Sequence, residues 1–302
     1  MVQLKITKFV WMDGKFVRWE NAKVHALTHA LHYGSAVFEG IRSYEAGKKV
    51  AVFRLDDHIE RLFHSAKELG MQIKFTKNEL KGAVKKLIKA NELKNAYIRP
   101  LAYYGFGDIG VYPKNVQSNL LIIALPDYDK PAKHLRVMIS KYLRPSEKST
   151  VFGAKISGSY ANSILAMKEA RDNGFDEALM LDGEGFVSEG PTENLFLVKN
   201  KELITPNSTS ALHGITRDTI LKISKDLGIK TYEKKVTINE VINSEELFFC
   251  GTGKEISPII SVDNGKIGNG KIGKITSAIK SKYFEVVRGK DTKYNNWLDY
   301  VD

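Results

Sequence analysis

The sequence has little cysteine and no long apolar stretch. Cys250 is the single cysteine among its 302 residues, so an intramolecular disulfide and a four-thiolate metal site are excluded. Nothing else indicates an oxidising compartment. No stretch approaches the roughly 18 apolar residues of a membrane-spanning helix, and the N-terminus does not resemble a signal peptide. We therefore expect a cytoplasmic protein that does not insert into a membrane.

The sequence also lacks any block of charge of one sign. Its 46 basic and 35 acidic residues give a net charge of +11, of which the first 110 residues carry +8. Such an excess alone is compatible with nucleic-acid binding. However, the chain has no arginine-rich arm, no five like charges in a row and no reading motif. A basic nucleic-acid-binding protein is therefore a distant alternative, and solvated lysine-rich helix faces are favoured.

Periodicity and turn residues predict a mixed α/β fold with two domains. Asp13-Gly14 predicts a hairpin within residues 7–19, and Thr76 with Glu79 predicts a capped helix. Helices are also predicted at 55–69, 159–172, 216–227 and 273–288, and strands at 49–54, 96–104, 118–125, 135–140, within 176–205 and within 230–270. Two prolines in an aperiodic stretch predict a linker. The predicted domains are 1–126 and 135–302, with the linker at 127–134.

Lys155 is the first candidate for chemistry. It lies between small residues in Val-Phe-Gly-Ala-Lys-Ile-Ser-Gly-Ser-Tyr, just before a predicted helix. Small neighbours let a planar ligand approach the backbone, and enclosure favours the neutral amine that attacks carbonyl groups. A surface lysine in a loop is the alternative interpretation.

Glu189 and Glu193 lie four residues apart around a Gly-Pro break, ahead of an apolar strand. A carboxylate held near a basic ring nitrogen can keep that nitrogen protonated. A charged turn without a ligand is the alternative.

Two glycine-containing turns could bind an anion. Gly214 precedes Thr216 at a predicted helix start, where free N–H groups and the helix dipole favour a phosphate, although simple N-capping by Thr216 is the alternative. The turn Cys250-Gly-Thr-Gly-Lys-Glu255 follows an apolar strand but lacks the spacing of a P-loop.

The N-terminal third supplies residues for a small pocket. Tyr33 and Phe38 lie beside glycines and could form apolar walls. His29 and His32 lack a third ligand cluster, so we interpret them as structural rather than as zinc ligands. A predicted strand places Tyr97 and Arg99 on one face, where together they could hold a carboxylate or form a surface pair.

In their order and spacing, the segments HALHYG, FEGIR, FRLDDHIERL, YIRP, GAKISGSY, SEGPTENLF, HGITRD and GTGKEISP resemble the branched-chain amino-acid aminotransferases. These are class IV, fold-type IV enzymes that use pyridoxal 5′-phosphate, and the resemblance spans residues 8–299. It implies an α/β (α+β) fold with a smaller N-terminal α/β domain and a larger C-terminal pseudo-barrel domain. It also implies ping-pong transamination of leucine, isoleucine and valine with 2-oxoglutarate.

The resemblance implies a role for each matching residue. Lys155 would form the internal aldimine and shuttle protons, Glu189 would partner the pyridine nitrogen, and Tyr160 would lie near the phenolic oxygen. The cofactor phosphate would be bound by Arg61, Ile215, Thr216 and Thr252. The substrate pocket would be lined by Tyr33, Phe38, Gly40, Tyr97, Arg99, Val111, Thr252 and Gly253, with Arg99 receiving the distal carboxylate of 2-oxoglutarate. No metal is expected.

Two departures from the family pattern bear on the substrate. The interdomain stretch is shorter than the Trp-Gly-Ala-Tyr-like stretch of many bacterial members, and Gly253-Lys254 replaces a pair of small residues. Because both places border the substrate pocket in the family, they leave open a broad-range amine transaminase or a wider amino-acid range. A D-amino-acid aminotransferase and an aminodeoxychorismate lyase are further alternatives, against which HYGSAVFEGIR and YIRP argue.

The resemblance also implies a homodimer, or a higher homo-oligomer, in which a loop from each neighbour completes the other site. The segment 107–113 matches that loop, and its glycines, proline and apolar residues suit a contact role. An ordinary connection between strands is the alternative.

Overall fold

The contacts of the chain divide it into two units. The structure, a computed structural model, describes residues 5–126, 134–151 and 153–301. Unit 1 contains the described residues within Met1–Tyr128, Ala154–Gly158 and Glu285–Asp302, and unit 2 those within Asp129–Gly153 and Ser159–Phe284. Apart from His134, the predicted linker lies outside the described residues.

The elements are numbered in chain order. The strands are β1 (Phe9–Met12), β2 (Lys15–Arg18), β3 (Ala36–Phe38), β4 (Ile41–Ala46), β5 (Lys49–Phe53), β6 (Ala96–Tyr104), β7 (Ser118–Pro126), β8 (Leu135–Ile139), β9 (Glu177–Leu181), β10 (Val187–Glu189), β11 (Asn194–Lys199), β12 (Glu202–Pro206), β13 (Thr231–Lys234), β14 (Glu246–Gly251), β15 (Glu255–Val262), β16 (Gly265–Lys266) and β17 (Leu298–Val301). The α-helices are α1 (His29–Tyr33), α2 (Leu55–Glu68), α3 (Lys77–Ala90), α4 (Tyr160–Asp172), α5 (Ile215–Asp226), α6 (Ile238–Ile242) and α7 (Lys274–Val287).

Most of the predicted elements are confirmed, and with them the mixed α/β fold class. The hairpin of β1 and β2 forms around Asp13-Gly14. The Thr76 side chain accepts a hydrogen bond from the Glu79 N–H, and the Glu79 carboxylate accepts one from the Thr76 N–H, as the capping-box pattern predicts. The short helices α1 and α6 and the strands β3, β4 and β17 were not among the predicted elements.

Unit 1 is built on an antiparallel sheet with the strand order β17-β5-β4-β6-β7-β1-β2, in which β3 also pairs with β6. Helices α2 and α3 pack on this sheet because each has one apolar face. Leu55, Ile59 and Leu62 of α2 and Leu80 and Leu87 of α3 are fully buried in one cluster with strand residues. Burial of each such side chain stabilises the fold by about 1.5–3 kcal/mol.

The C-terminal residues belong to unit 1, although the predicted domain limits assign them to the second domain. The reason is strand pairing, since β17 lies antiparallel to β5, with Leu298 opposite Phe53. Arg54, which precedes α2 in a left-handed conformation, reinforces this connection. Its N–H donates to the Trp297 carbonyl at 2.7 Å, and its guanidinium carbon lies 4.9 Å from the Trp297 ring centroid.

Unit 2 contains a mixed sheet with the strand order β10-β9-β8-β15-β14-β11-β12-β13, and β16 pairs with β15. Strand β8 lies parallel to both β9 and β15, and β12 lies parallel to β13. Strands β10 and β11, which are consecutive along the chain, supply Glu189 and Asn194, and the chain then reaches α5 through β12. Within the described ranges, no helix has both the length and the apolar character needed to cross a membrane.

Candidate active site

Lys155 lies in a segment of unit 1 whose main chain is fixed on both sides. Its N–H donates to the Ser65 hydroxyl oxygen at 2.9 Å, and its carbonyl accepts the Phe38 N–H at 3.1 Å. The neighbouring Ile156 forms a β-bridge with Val37. The Lys155 amine nitrogen lies 4.8 Å from the centroid of the Phe38 ring. These contacts show that the segment is not a flexible surface loop, which was the alternative interpretation.

Small residues are needed beside Lys155 because two stretches of backbone meet there. The Gly158 N–H donates to the Gly34 carbonyl at 3.0 Å. A Cβ on Gly34 would lie 2.6 Å from the Gly158 Cα, and Gly34 has a φ of +63°. Both the space and the left-handed backbone therefore require glycine at position 34.

One polar face of α2 supports this segment and the end of β3. His58, Arg61 and Ser65 follow one another at helical spacing, so their side chains lie on the same side of the helix. The fully buried Glu39 carboxylate accepts Arg61 Nε at 2.6 Å, Arg61 Nη2 at 2.8 Å and His58 Nδ1 at 2.7 Å. Two nitrogens of Arg61, the predicted phosphate ligand, are thus engaged by Glu39.

The charge states of this cluster follow from its contacts. Burial alone would raise the pKa of Glu39, but the charge of Arg61 and the hydrogen bonds from Arg61 and His58 outweigh it and hold this pKa well below its usual range. Burial lowers the pKa of His58 against the opposing effect of Glu39. The motifs marked Arg61, whereas Glu39, His58 and Ser65 were not predicted as site residues.

Arg99, Tyr97, Phe38 and Gly40 come together in unit 1. Arg99 Nη2 donates to the Tyr97 hydroxyl oxygen at 2.6 Å, which confirms that the two side chains share a face. The Arg99 guanidinium carbon lies 4.7 Å from the Phe38 ring centroid. A Cβ on Gly40 would lie 2.4 Å from the Tyr97 hydroxyl oxygen. These residues combine an apolar ring with donors suited to a carboxylate.

Tyr33 and Val111 differ from the other predicted pocket residues because they are exposed. The Tyr33 hydroxyl donates to the Ile109 carbonyl at 2.7 Å. His29 Nε2 hydrogen-bonds the Gly110 carbonyl at 2.8 Å, which makes this nitrogen the donor. Helix α1 therefore holds the loop of residues 107–113, at whose surface Val111 is 76% exposed.

Glu189 is buried in unit 2 among donors. One oxygen lies 2.8 Å from Arg144 Nη2, and the other accepts Asn194 Nδ2 at 2.9 Å and the Leu212 N–H at 3.2 Å. The Asn194 side chain also donates to the Leu212 carbonyl at 2.8 Å. Both carboxylate oxygens therefore face donors, one of them the charged guanidinium of Arg144. The motif marked Glu189, but neither Arg144 nor Asn194 was predicted as a site residue.

The start of α5 is suited to an anion. Its N-cap is Gly214, which has no side chain to cap the first turn, and Ile215 and Thr216 follow as buried helical residues. Thr216 is thus inside the helix and does not cap it. A Cβ on Gly214 would lie 2.0 Å from Asn194 Oδ1, so the same asparagine that contacts Glu189 requires glycine here.

Tyr160 is the first residue of α4.

Thr252, Gly253 and Lys254 form the turn between β14 and β15, and all three are half-buried. The charge of Lys254 acts on Glu177, at the start of β9. Burial raises the pKa of Glu177 to about 8, the charge of Glu193 adds to this, and Lys254 opposes it.

No group of His, Cys, Asp or Glu in the described part of the chain could hold a metal ion.

Residues 36–262 match the sequence profile of the family Amino-transferase class IV, and the chain belongs to this family. Within it, the chain is similar to branched-chain-amino-acid aminotransferases over nearly its whole length. The curated enzyme of Pseudomonas aeruginosa is 40% identical over 97% of both chains.

Solved structures agree with this relationship and with the fold-type IV architecture. The T.th. branched-chain amino acid aminotransferase complexed with N-(5′-phosphopyridoxyl)-L-glutamate has a TM-score of 0.96 at 40% identity, covering 99% of this chain and all of that one. The branched-chain aminotransferase of Thermoproteus uzoniensis with norvaline has a TM-score of 0.94 at 41% identity, covering 98% and 100%.

Proposed function

We propose that this chain uses pyridoxal 5′-phosphate to transfer the amino group of leucine, isoleucine and valine to 2-oxoglutarate. The observation that carries the proposal is the fixed main chain of Lys155, whose amine lies over the Phe38 ring. An apolar ring beside the Arg99–Tyr97 pair suits an amino acid with an apolar side chain and a carboxylate. Similar proteins named branched-chain-amino-acid aminotransferases support the same substrate class.

The residues present fit the cofactor. Lys155 would hold it covalently, Glu189 would bind its ring nitrogen, and Tyr160 its phenolic oxygen. Its phosphate would be bound by Arg61, Ile215, Thr216 and Thr252. The first turn of α5, whose N-cap is a glycine, suits an anion, and the Glu189 carboxylate beside Arg144 suits a protonated ring nitrogen. When bound, pyridoxal 5′-phosphate supplies an electron-accepting ring on which the amino group is carried.

Each of the proposed site residues has its own task in the reaction. The Lys155 amine would take the proton from the substrate Cα, because its main chain is fixed and its nitrogen lies over the Phe38 ring. Glu189 would hold the proton on the ring nitrogen by accepting its N–H with a carboxylate oxygen. Arg99 and Tyr97 hold substrate carboxylates, and Phe38 contacts apolar side chains.

One pocket must accept both leucine-like side chains and the side chain of glutamate. Arg99 is the residue that receives the distal carboxylate of 2-oxoglutarate, since its guanidinium combines charge with several donors. Its contact with the Phe38 ring keeps an apolar surface beside that charge.

The test is an absorbance scan of the purified protein, loaded with pyridoxal 5′-phosphate, after addition of single amino acids. Leucine, isoleucine and valine should convert the bound cofactor to pyridoxamine 5′-phosphate, and 2-oxoglutarate should restore it. Conversion by D-alanine alone would contradict the proposed substrate and indicate a D-amino-acid aminotransferase. Comparable conversion by a primary amine would indicate a broad-range amine transaminase, and pyruvate release from aminodeoxychorismate would indicate the lyase.

The active form is a homodimer. Large apolar side chains of unit 1 are exposed on and near the loop of residues 107–113: Leu27, Leu31, Tyr33, Phe106, Ile109, Val111 and Tyr112. Such a patch favours contact with a second copy. Light scattering should give twice the chain mass of 33.9 kDa, and a stable monomer with full activity would contradict this. The cytoplasmic location stays a prediction from the sequence.

A further inference from the structure

A buried ion pair in unit 2 joins Arg144 to Glu189. Arg144 Nη2 lies 2.8 Å from Glu189 Oε1, and the two side chains are 13% and 5% exposed. Ion pairs of this burial are held in a fixed geometry and are weakly screened by salt. None of the motifs that mark the site includes Arg144.

The position of Arg144 is fixed independently of Glu189. Its N–H donates to the Leu181 carbonyl at 2.8 Å, and its Nη1 donates to the Ser163 hydroxyl at 3.1 Å. Its Nε atom is buried without a hydrogen-bond partner among the described residues. Leaving a buried donor unsatisfied is unfavourable, so this Nε costs stability where it lies. The side chain is held in this place by its polar contacts with Ser163 and Glu189.

The donors around Glu189 are unequal in charge. Asn194 and the Leu212 N–H are neutral donors, whereas Arg144 carries a full positive charge. Without a nearby cation, a buried carboxylate favours its protonated form. A carboxylate only accepts hydrogen bonds and therefore favours a protonated nitrogen beside it. A protonated carboxyl group can also donate a hydrogen bond, so it no longer favours the protonated form of that nitrogen.

We infer that Arg144 is a positioning residue that acts through Glu189. It keeps this carboxylate ionised and oriented, and so sets the protonation of the cofactor ring nitrogen that Glu189 binds. The inference rests on the proposed function, because it assumes that Glu189 faces that nitrogen. Arg144 itself touches neither the substrate nor the reacting atoms in this account.

The experiment compares Arg144→Met and Arg144→Lys with the unaltered enzyme loaded with pyridoxal 5′-phosphate. Arg144→Met removes the charge at similar length, and kcat for leucine should fall at least about tenfold, the lower end for loss of a residue that orients a functional ligand. The KM for leucine should change by less than threefold. The pH dependence of the bound-cofactor absorbance should shift, and the dissociation constant for pyridoxamine 5′-phosphate should rise. Arg144→Lys should recover part of each change.

The matched control is Arg136→Met, which removes a half-exposed arginine that pairs with Asp176 in the same unit. It should leave all four readouts unchanged. Ser163→Ala removes the other side-chain partner of Arg144, and a loss as large as that of Arg144→Met would assign the effect to Ser163.

A double variant separates action through Glu189 from a purely structural role. Arg144→Met should have no further effect on cofactor affinity or half-reaction rate in a Glu189→Gln background, where no carboxylate remains to be held. The double variant removes both charges of this pair, so it should fold even where Arg144→Met alone does not. Equal effects of Arg144→Met in both backgrounds would overturn the inference. If the unaltered enzyme neither binds pyridoxal 5′-phosphate nor transaminates leucine, the proposed function fails instead.

Discussion

The amine of Lys155 lies over the ring of Phe38, with 4.8 Å between the nitrogen and the ring centroid. The Arg99 guanidinium carbon lies 4.7 Å from the same centroid. The group proposed to move the proton and the group proposed to bind the carboxylate therefore contact the same ring. This arrangement allows the two roles to be tested by separate substitutions.

Lys155→Ala should abolish transamination and covalent attachment of pyridoxal 5′-phosphate, because it removes the amine that is held over the Phe38 ring. Borohydride reduction followed by mass spectrometry measures the attachment, and leucine-dependent glutamate formation measures the activity. Lys168→Ala, which alters an exposed lysine paired with Asp172, is the control. Attachment at a different lysine in the Lys155→Ala variant would falsify the assignment.

Arg99→Ala should reduce the use of 2-oxoglutarate far more than the use of leucine. A hydrogen bond to a charged group contributes about 1.5–3 kcal/mol, so kcat/KM for 2-oxoglutarate should fall roughly tenfold to more than a hundredfold. Separate half-reactions with each substrate measure the two effects. Equal losses for both substrates would count against the distal-carboxylate role.

Gly40→Ala should weaken substrate binding through Tyr97. The new methyl group would lie 2.4 Å from the Tyr97 hydroxyl oxygen, so Tyr97 must move and its hydrogen bond to Arg99 must change. The KM values should rise while the cofactor remains bound. Gly82→Ala in α3 is the matched control, since a Cβ there meets nothing within 4 Å. It should raise stability by about 0.5–1 kcal/mol without changing KM.

Glu177→Gln should change how stability depends on pH. The native pKa of Glu177 is raised to about 8 by burial and by the charge of Glu193, whereas the unfolded chain releases this proton near pH 4.5. Between these values the native state binds the extra proton, so this carboxyl group makes stability fall as pH rises, by at most about 1.4 kcal/mol per pH unit.

Glutamine removes this dependence. The melting temperature of Glu177→Gln, relative to that of the unaltered protein, should therefore increase from pH 5 to pH 8. Calorimetry across that range measures the difference. Lys254→Met should have the opposite effect, because the charge of Lys254 favours the ionised carboxylate. A constant difference between Glu177→Gln and the unaltered protein at every pH would contradict the shifted pKa.

The sequence predicted local features well because their causes are local. Thr76 and Glu79 are three residues apart, and the backbone groups that they cap lie between them. The glycines and small residues beside Lys155 likewise mark a close backbone approach before the partner strand is known. Short helix α6 also has a capping box, Thr237 with Glu240, which a closer reading of the sequence could have found.

The supporting residues could not be predicted in the same way. Glu39 meets Arg61 only because β3 ends beside α2, and Arg144 meets Glu189 only because the fold brings together two distant stretches of the chain. A single sequence gives no signal for such pairings, since arginines and glutamates are common on surfaces. The family resemblance marked residues proposed to touch ligands and left out those that hold them.

The pairing of β17 with β5 has a consequence for the order in which the protein is made. A ribosome releases the N-terminal strands long before it completes Leu298–Val301, so the backbone groups of β5 that face β17 have no strand partner during synthesis. An open strand edge is a template for association with another chain. The exposed edge of β5 is therefore open to such association until Leu298–Val301 are made and β17 pairs with it.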